Sequence, residues 1–117
     1  MKKLLGLFLT ILLLTSCTTT TSLYSWGNYE DASYNYYKKQ TPEAAEALLK
    51  SYQNIINKQK GSRKVVPPGI YAEYGFMLIQ TGKRDEGIIN LKKEIELYPE
   101  SKVFIERIIN QAEKWKI

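Results

Sequence analysis

The sequence predicts an all-α protein of about five helices, arranged as helical hairpins behind an apolar N-terminal leader. Through residues 26–117, apolar side chains recur at three- and four-residue spacing, which is the period of one face of a helix. Proline and glycine fall between these periodic stretches, where helices begin and end. The nine tyrosines and the 44% of hydrophobic residues indicate a chain that folds around a core.

The leader has the charge and length of a secretory signal. Lys2 and Lys3 precede an apolar run over residues 4–14, well short of the ~20 residues that cross a bilayer. The run ends in LTSC at residues 14–17, which resembles the lipobox of bacterial lipoproteins. The resemblance implies cleavage before Cys17 and acylation of its thiol. The alternatives are an ordinary signal peptide with a stray cysteine and a short membrane anchor.

These features divide the chain into a lipoprotein signal peptide (1–16), an acylated cysteine with its tether (17–25) and a tetratricopeptide-like helical domain (26–117). Thr18 stands where enteric-type sorting uses aspartate to retain lipoproteins in the inner membrane. We therefore expect an outer-membrane protein, lipid-anchored on the periplasmic face. The five residues after the cysteine reach only ~17 Å when extended, which keeps the domain close to the lipid surface.

Composition argues against several classes of function. The chain has no histidine and a single cysteine, so it lacks the commonest general base and cannot form a thiolate metal cluster. The net charge of +5 falls when Lys2 and Lys3 leave, and a concentrated basic face for nucleic acid is missing. Neighbouring carboxylates such as Glu30 and Asp31 point in different directions on a helix. We expect a protein that is not an enzyme and holds no cofactor or metal.

The first two helices of the domain are marked by capping residues. The first is predicted over about Trp26 to Lys39 and the second over about Pro42 to Lys58. Thr41 is placed to cap the second helix, and Pro42 occupies its first position, where a missing N–H costs nothing. A basic connector follows over residues 58–64, which either contacts anionic lipid head groups or is a plain solvated loop.

Three more helices follow the connector. The third runs from Gly69 to about Thr81 and is apolar nearly all round, and the fourth runs from about Arg84 to Leu97. Ser101 is placed to cap the fifth. Its spacing predicts one buried face, which carries Phe104, Ile108, Ala112 and Trp115.

The third and fourth helices have the spacing of a tetratricopeptide repeat. Counted from Pro68 as position 1, the large, small and proline positions of that motif are occupied by Tyr71 (4), Tyr74 (7), Gly75 (8), Leu78 (11), Gly82 (15), Gly87 (20), Leu91 (24) and Pro99 (32). The spacing predicts that Gly75 and Gly87 face each other. Glu94 departs from the motif, because position 27 is usually alanine. Counted from Trp26, the first pair follows the motif more weakly, and a generic five-helix bundle is the alternative.

Three segments of the domain carry a further likeness: LYSWGNYE at residues 23–30, PPGIYA at 67–72 and PES at 99–101. They resemble the LYxWGxYE, PPGxxA and PES signatures of a family of small bacterial lipoproteins known only by a domain of unknown function. Members are often encoded beside a CsgG-like lipoprotein, so the resemblance implies a partner in an envelope assembly. It supplies no catalytic residues.

Two surfaces are candidates for binding. Tyr34 and Tyr37 do not occupy packing positions of the repeat and are predicted to be exposed aromatic anchors, with packing on neighbouring helices as the alternative. The second candidate is the stiff turn before the third helix, where glycine lets another backbone approach and the helix N-terminus could accept a carboxylate. Helix initiation alone is the alternative for these residues, which are Pro67, Pro68 and Gly69.

The leading hypothesis is a lipid-anchored, periplasm-facing helical repeat that mediates protein–protein interaction in an envelope assembly, with a CsgG-like lipoprotein as the expected partner. The alternative is a binder of an envelope glycan or lipid in an aromatic-lined groove. Copurification from solubilised envelope separates the two, because only the first hypothesis requires a protein partner.

Overall fold

A computed structural model describes residues 1–14 and 21–115, and every regular element within them is a helix. The predicted all-α class is therefore confirmed for this part of the chain. The helices are α1 (Lys2–Leu14), α2 (Tyr29–Lys39), α3 (Pro42–Asn57), α4 (Ile70–Gln80), α5 (Arg84–Leu97) and α6 (Lys102–Lys114). A short 3-10 helix, Pro99–Ser101, precedes α6.

The segment predicted to be a signal peptide forms α1 over Lys2–Leu14, and the predicted lipidation site follows it. Cys17 lies outside the described residues, as does Thr18. Among the helices described, none is both long enough and apolar enough to cross a membrane.

Local chemistry sets most helix ends where the sequence predicts them. The Thr41 hydroxyl accepts a hydrogen bond from the Ala44 amide at 3.2 Å, which caps α3. Gly82 closes α4 with a left-handed φ of 89°. The predicted start of the first helix at Trp26 is wrong, because Gly27 has a φ of 54° and α2 begins at Tyr29. The predicted cap at Ser101 is also wrong, since its hydroxyl donates to the Tyr98 carbonyl instead.

The core consists of two clusters on either side of α4. One joins α4 to α2 and α3 around Leu48, Tyr52 and Leu78. The other joins α4 to α5 and α6, and it holds Ile79, Leu91, Ile105, Ile109 and Ala112. α4 is thus buried on several sides, as its all-round apolar sequence indicates.

The predicted face of α6 is only partly right. Ala112 is fully buried and Ile108 packs at the edge of the core, but Phe104 keeps 66% of its surface exposed. Ile105 and Ile109 are buried in its place. The apolar residues of α6 form two overlapping stripes, and the stripe that includes residue 105 packs with Leu91 of α5 and Ile79 of α4.

The segment before α2 is bound to the connector between α3 and α4. The Ser62 and Arg63 amides donate to the carbonyls of Ser22 and Leu23, at 3.1 and 3.2 Å. The Gln59 side-chain amide pairs with both backbone groups of Ser25. Residues 22–25, predicted as part of the tether, are therefore held against the domain.

Candidate functional site

The first candidate surface is an open groove along one side of α2, which we call the α2 groove. Its volume is about 640 Å³. Tyr34 and Tyr37 are 63% and 69% exposed, so both rings are free for contact, as predicted from the sequence. Five of the lining residues recur at three- and four-residue spacing on α2, and they are Tyr29, Glu30, Ser33, Tyr34 and Tyr37. Trp26 joins them from the segment before the helix.

The second surface, which we call the inner groove, crosses α2, α4 and α6. It consists of two adjoining depressions of about 200 and 340 Å³ that share Glu73 and Phe76. Tyr37 stands at one end, where it also borders the α2 groove, and Phe104 and Ile108 line the other end. Each of the three helices thus contributes one exposed aromatic ring to the inner groove.

Glu73 supplies the charge of the inner groove. Its Oε2 accepts hydrogen bonds from the hydroxyls of Tyr29 and Tyr52, at 2.7 and 3.0 Å. Burial, reinforced by Glu73, raises the pKa of Tyr29 to about 12, and the same causes raise the pKa of Tyr52. Both phenols therefore stay neutral donors at physiological pH and hold the carboxylate in place. The side chain of Glu73 remains exposed, so it can also meet a cation from solvent.

A row of aromatic rings connects the α2 groove to the core. Trp26 contacts Tyr29 with ring centroids 5.7 Å apart, Tyr29 contacts Tyr52 at 5.8 Å, and Tyr52 contacts Tyr74 at 6.0 Å. Tilted and edge-on ring pairs at such distances are stabilising. The groove therefore rests on a rigid base that continues into the packed interior.

The free backbone amides at the start of α4 are bound by a side chain of the same protein. The Glu94 carboxylate accepts hydrogen bonds from the amides of Gly69 at 2.7 Å and Ala72 at 3.3 Å. Burial raises the pKa of Glu94, and these backbone donors oppose the rise. The predicted carboxylate site at this helix N-terminus is thus filled by a residue of the same chain. Pro67 is buried and Pro68 is exposed, with Gly69 between them and α4 at a φ of 92°.

Both grooves lie within the part of the chain that a family model matches. The match covers residues 23–108 and is to a domain of unknown function, DUF4810. The chain belongs to the DUF4810 family. The DUF4810 match includes the segment bound to the connector, both helical hairpins and the start of α6. Neither curated proteins nor solved structures include a significant match to this chain.

The site residues that sequence reasoning missed in the DUF4810 domain are Glu73, Phe76 and Phe104. Phe76 lies in a helix that is apolar all round, so its sequence does not distinguish exposed from buried positions. Phe104 is predicted from its spacing to be in the core. The predicted repeat could have indicated that Phe76 is exposed. Phe76 occupies position 9 of the second repeat, and Tyr34, which is predicted to be exposed, occupies position 9 of the first. Within residues 1–14 and 21–115, no group of three acidic, cysteine or histidine side chains is arranged to hold a metal ion. The arrangement is suited to binding apolar side chains beside a positive charge.

Proposed function

We propose that this protein is a non-enzymatic helical module, anchored by lipids on Cys17 to the outer membrane and facing the periplasm. In this proposal it mediates protein–protein interaction in an envelope assembly, with a CsgG-like lipoprotein as its partner. The observation that supports it best is the row of exposed rings along the inner groove. Tyr37, Phe76 and Phe104 are 69%, 37% and 66% exposed, although each is large and apolar enough to favour burial.

A partner segment would cover these rings and meet Glu73. An aromatic side chain that acts as a hot spot of an interface costs about 2 kcal/mol or more when it is replaced by alanine. The Glu73 carboxylate, fixed by two tyrosine hydroxyls, would pair with a lysine or arginine of the partner. The inner groove therefore favours a segment with apolar side chains and one basic residue.

The test is capture of the CsgG-like lipoprotein from detergent-solubilised envelope by the acylated protein, followed by crosslinking from residue 104. Phe76→Ala and Phe104→Ala should each weaken capture at least tenfold while helix content is retained. Melting of Phe104→Ala should stay close to wild type, and Phe76→Ala should melt lower but still fold, because only 37% of Phe76 is exposed. Ile89→Ala is the matched control, because Ile89 is 56% exposed on α5 and lines neither groove. Unchanged capture by a folded Phe76→Ala, Phe104→Ala double variant would contradict the proposal.

The second candidate function is binding of an envelope glycan or lipid. The exposed rings of Trp26 and Tyr34 in the α2 groove favour it, since sugars and acyl chains both pack on aromatic faces. Copurification of glycan or lipid in place of a protein, with release by soluble peptidoglycan fragments or by detergent exchange, would favour this candidate over the first.

A further inference from the structure

The stripe that lines the α2 groove is covered by other helices in the second repeat. Repeat positions 4, 5, 8 and 12 are Tyr29, Glu30, Ser33 and Tyr37 on α2, and Tyr71, Ala72, Gly75 and Ile79 on α4. On α4 this stripe packs against α5 and α6, so that Gly75 is buried and Ile79 is 0% exposed. On α2 the helices equivalent to α5 and α6, which are α3 and α4, contact this stripe at Tyr29, through Tyr52 and Glu73. They leave Glu30 and Tyr37 exposed and Ser33 half-buried, so part of the stripe remains open to a further helix.

The centre of the α2 groove leaves room for a helix to approach. Ser33 stands at position 8, where Gly75 lets α5 come into contact with α4. Serine is also a small residue, so a helix can lie close to α2 at this point. Trp26 and Tyr34 would then flank the approaching helix.

The charges of α2 are complementary to those of an antiparallel copy of itself. Its first turn carries Glu30 and Asp31, and its last turn carries Lys38 and Lys39. Within the described residues, the ion pairs involve other helices and leave these four charges unpaired. Asp31 and Lys38 are seven residues apart, which places them two turns apart on the same flank of the groove, beside Tyr34. Lys38 Nζ lies 5.5 Å from the centre of the Tyr34 ring.

We propose that the α2 groove binds a second copy of this chain, with the two α2 helices antiparallel about a twofold axis near Tyr34. Asp31 of each copy then faces Lys38 of the other, and each α2 groove receives the α2 helix of the other copy. Such an interface is self-complementary, as twofold symmetry requires. It leaves Phe76 and Phe104 open, and Tyr37 is a ring that borders both grooves, so the variants that separate the two surfaces are made at Tyr34 and Phe76.

Charge reversal tests the pairing directly. The mature acylated protein in detergent is measured by native mass spectrometry and by sedimentation over a range of concentrations. We expect a dimer for the wild type and a dimer at least about tenfold weaker for Asp31→Lys and for Lys38→Glu, because each variant places like charges together twice. An equimolar mixture of the two variants should restore dimerisation as a heterodimer, since every facing pair is again opposite in charge. Lys50→Glu, the same charge change at an exposed site on α3, should dimerise like the wild type.

The dimerisation tests and the partner-capture tests give results that can be told apart. Tyr34→Ala should weaken the dimer and retain capture of the envelope partner, whereas Phe76→Ala should do the reverse. A wild type that is monomeric at every concentration would overturn the proposal, as would a variant mixture that stays monomeric. Loss of partner capture in monomeric Tyr34→Ala would assign the α2 groove to that partner and also overturn it.

Discussion

Gly75 and Gly87 bring the backbones of α4 and α5 into direct contact. A β-carbon on Gly75 would lie 2.6 Å from the carbonyl oxygen of Gly87, and one on Gly87 would lie 2.5 Å from the carbonyl oxygen of Gly75. These distances are far below van der Waals contact, so neither position has room for a methyl group. The predicted meeting of the two glycines across the hairpin is confirmed.

The first prediction concerns the direction in which Gly75→Ala changes the stability of the protein. Alanine favours a helix over glycine by about 1 kcal/mol, so the substitution would stabilise the protein if space were available. We expect instead a loss of about 1–3 kcal/mol, because α4 and α5 must separate to admit the methyl group. Thermal and urea unfolding measure the change. The control is Ser33→Ala, the equivalent position of α2, which lies in an open groove and should change stability little. A higher melting temperature for Gly75→Ala would contradict the close contact.

The second prediction concerns the cap that Glu94 provides. In Glu94→Gln, one carboxylate oxygen becomes an amide group that cannot accept from the α4 backbone. We expect the free energy of unfolding to fall by about 1–3 kcal/mol, because the backbone amide of Gly69 or of Ala72 loses its acceptor. Glu94→Ala, which restores the usual residue of the repeat, should cost at least as much. Urea unfolding at neutral pH provides the measurement. The exposed Glu96→Gln is the control, and equal stability of Glu94→Gln and wild type would show that the cap contributes nothing.

The third prediction is a pH dependence from the same residue. Burial raises the pKa of Glu94 above its ordinary value of 4.5, so the folded state holds this proton more tightly than the unfolded state does. The contribution of Glu94 to stability therefore falls as the pH rises from about 4.5 through the raised pKa, and it is constant above that. The difference in unfolding free energy between wild type and Glu94→Gln should change in this window alone. A difference that is flat from acid to neutral pH would be the contrary result.

The fourth prediction concerns Ser51, a buried serine of α3. Ser51 is 2% exposed, and its hydroxyl has no hydrogen-bond partner among the described residues. Ser51→Ala should stabilise the protein by roughly 1 kcal/mol, because a buried hydroxyl without a partner is costly. For a domain of this size, the melting temperature would rise by about 4–8 °C. The exposed Ser62→Ala should leave it unchanged, and a lower melting temperature for Ser51→Ala would mean that the hydroxyl is satisfied in solution.

The fifth prediction is acylation of Cys17. Protein extracted from membranes should begin at residue 17 and carry acyl chains, which intact-mass and peptide mass spectrometry can detect. Cys17→Ala should appear in the soluble fraction, because the two or three chains that give stable anchoring are lost. A protein that retains Met1, or a Cys17→Ala variant that remains in the membrane, would refute the prediction.

The candidate site could be predicted in part from the helical wheel. Tyr34 and Tyr37 lie off the core stripe of α2, and that is enough to expose them, because α2 has neighbours on one side only. Phe104 could not be placed in this way, since apolar residues fill two adjacent stripes of α6. The sequence marked Glu94 as a departure from the repeat, but its partners, Gly69 and Ala72, lie more than twenty residues away.

The sequence by itself determined the features that depend on neighbouring residues. Thr41 and Pro42 start α3, Gly82 ends α4, and the small residues at 75 and 87 let one hairpin close, because capping, backbone conformation and side-chain volume act locally. Only the tertiary structure decided which apolar stripe of a helix is buried and which is left open. Periodicity shows that a face is apolar, but burial requires another helix to cover it, and the path of the chain decides where that helix lies.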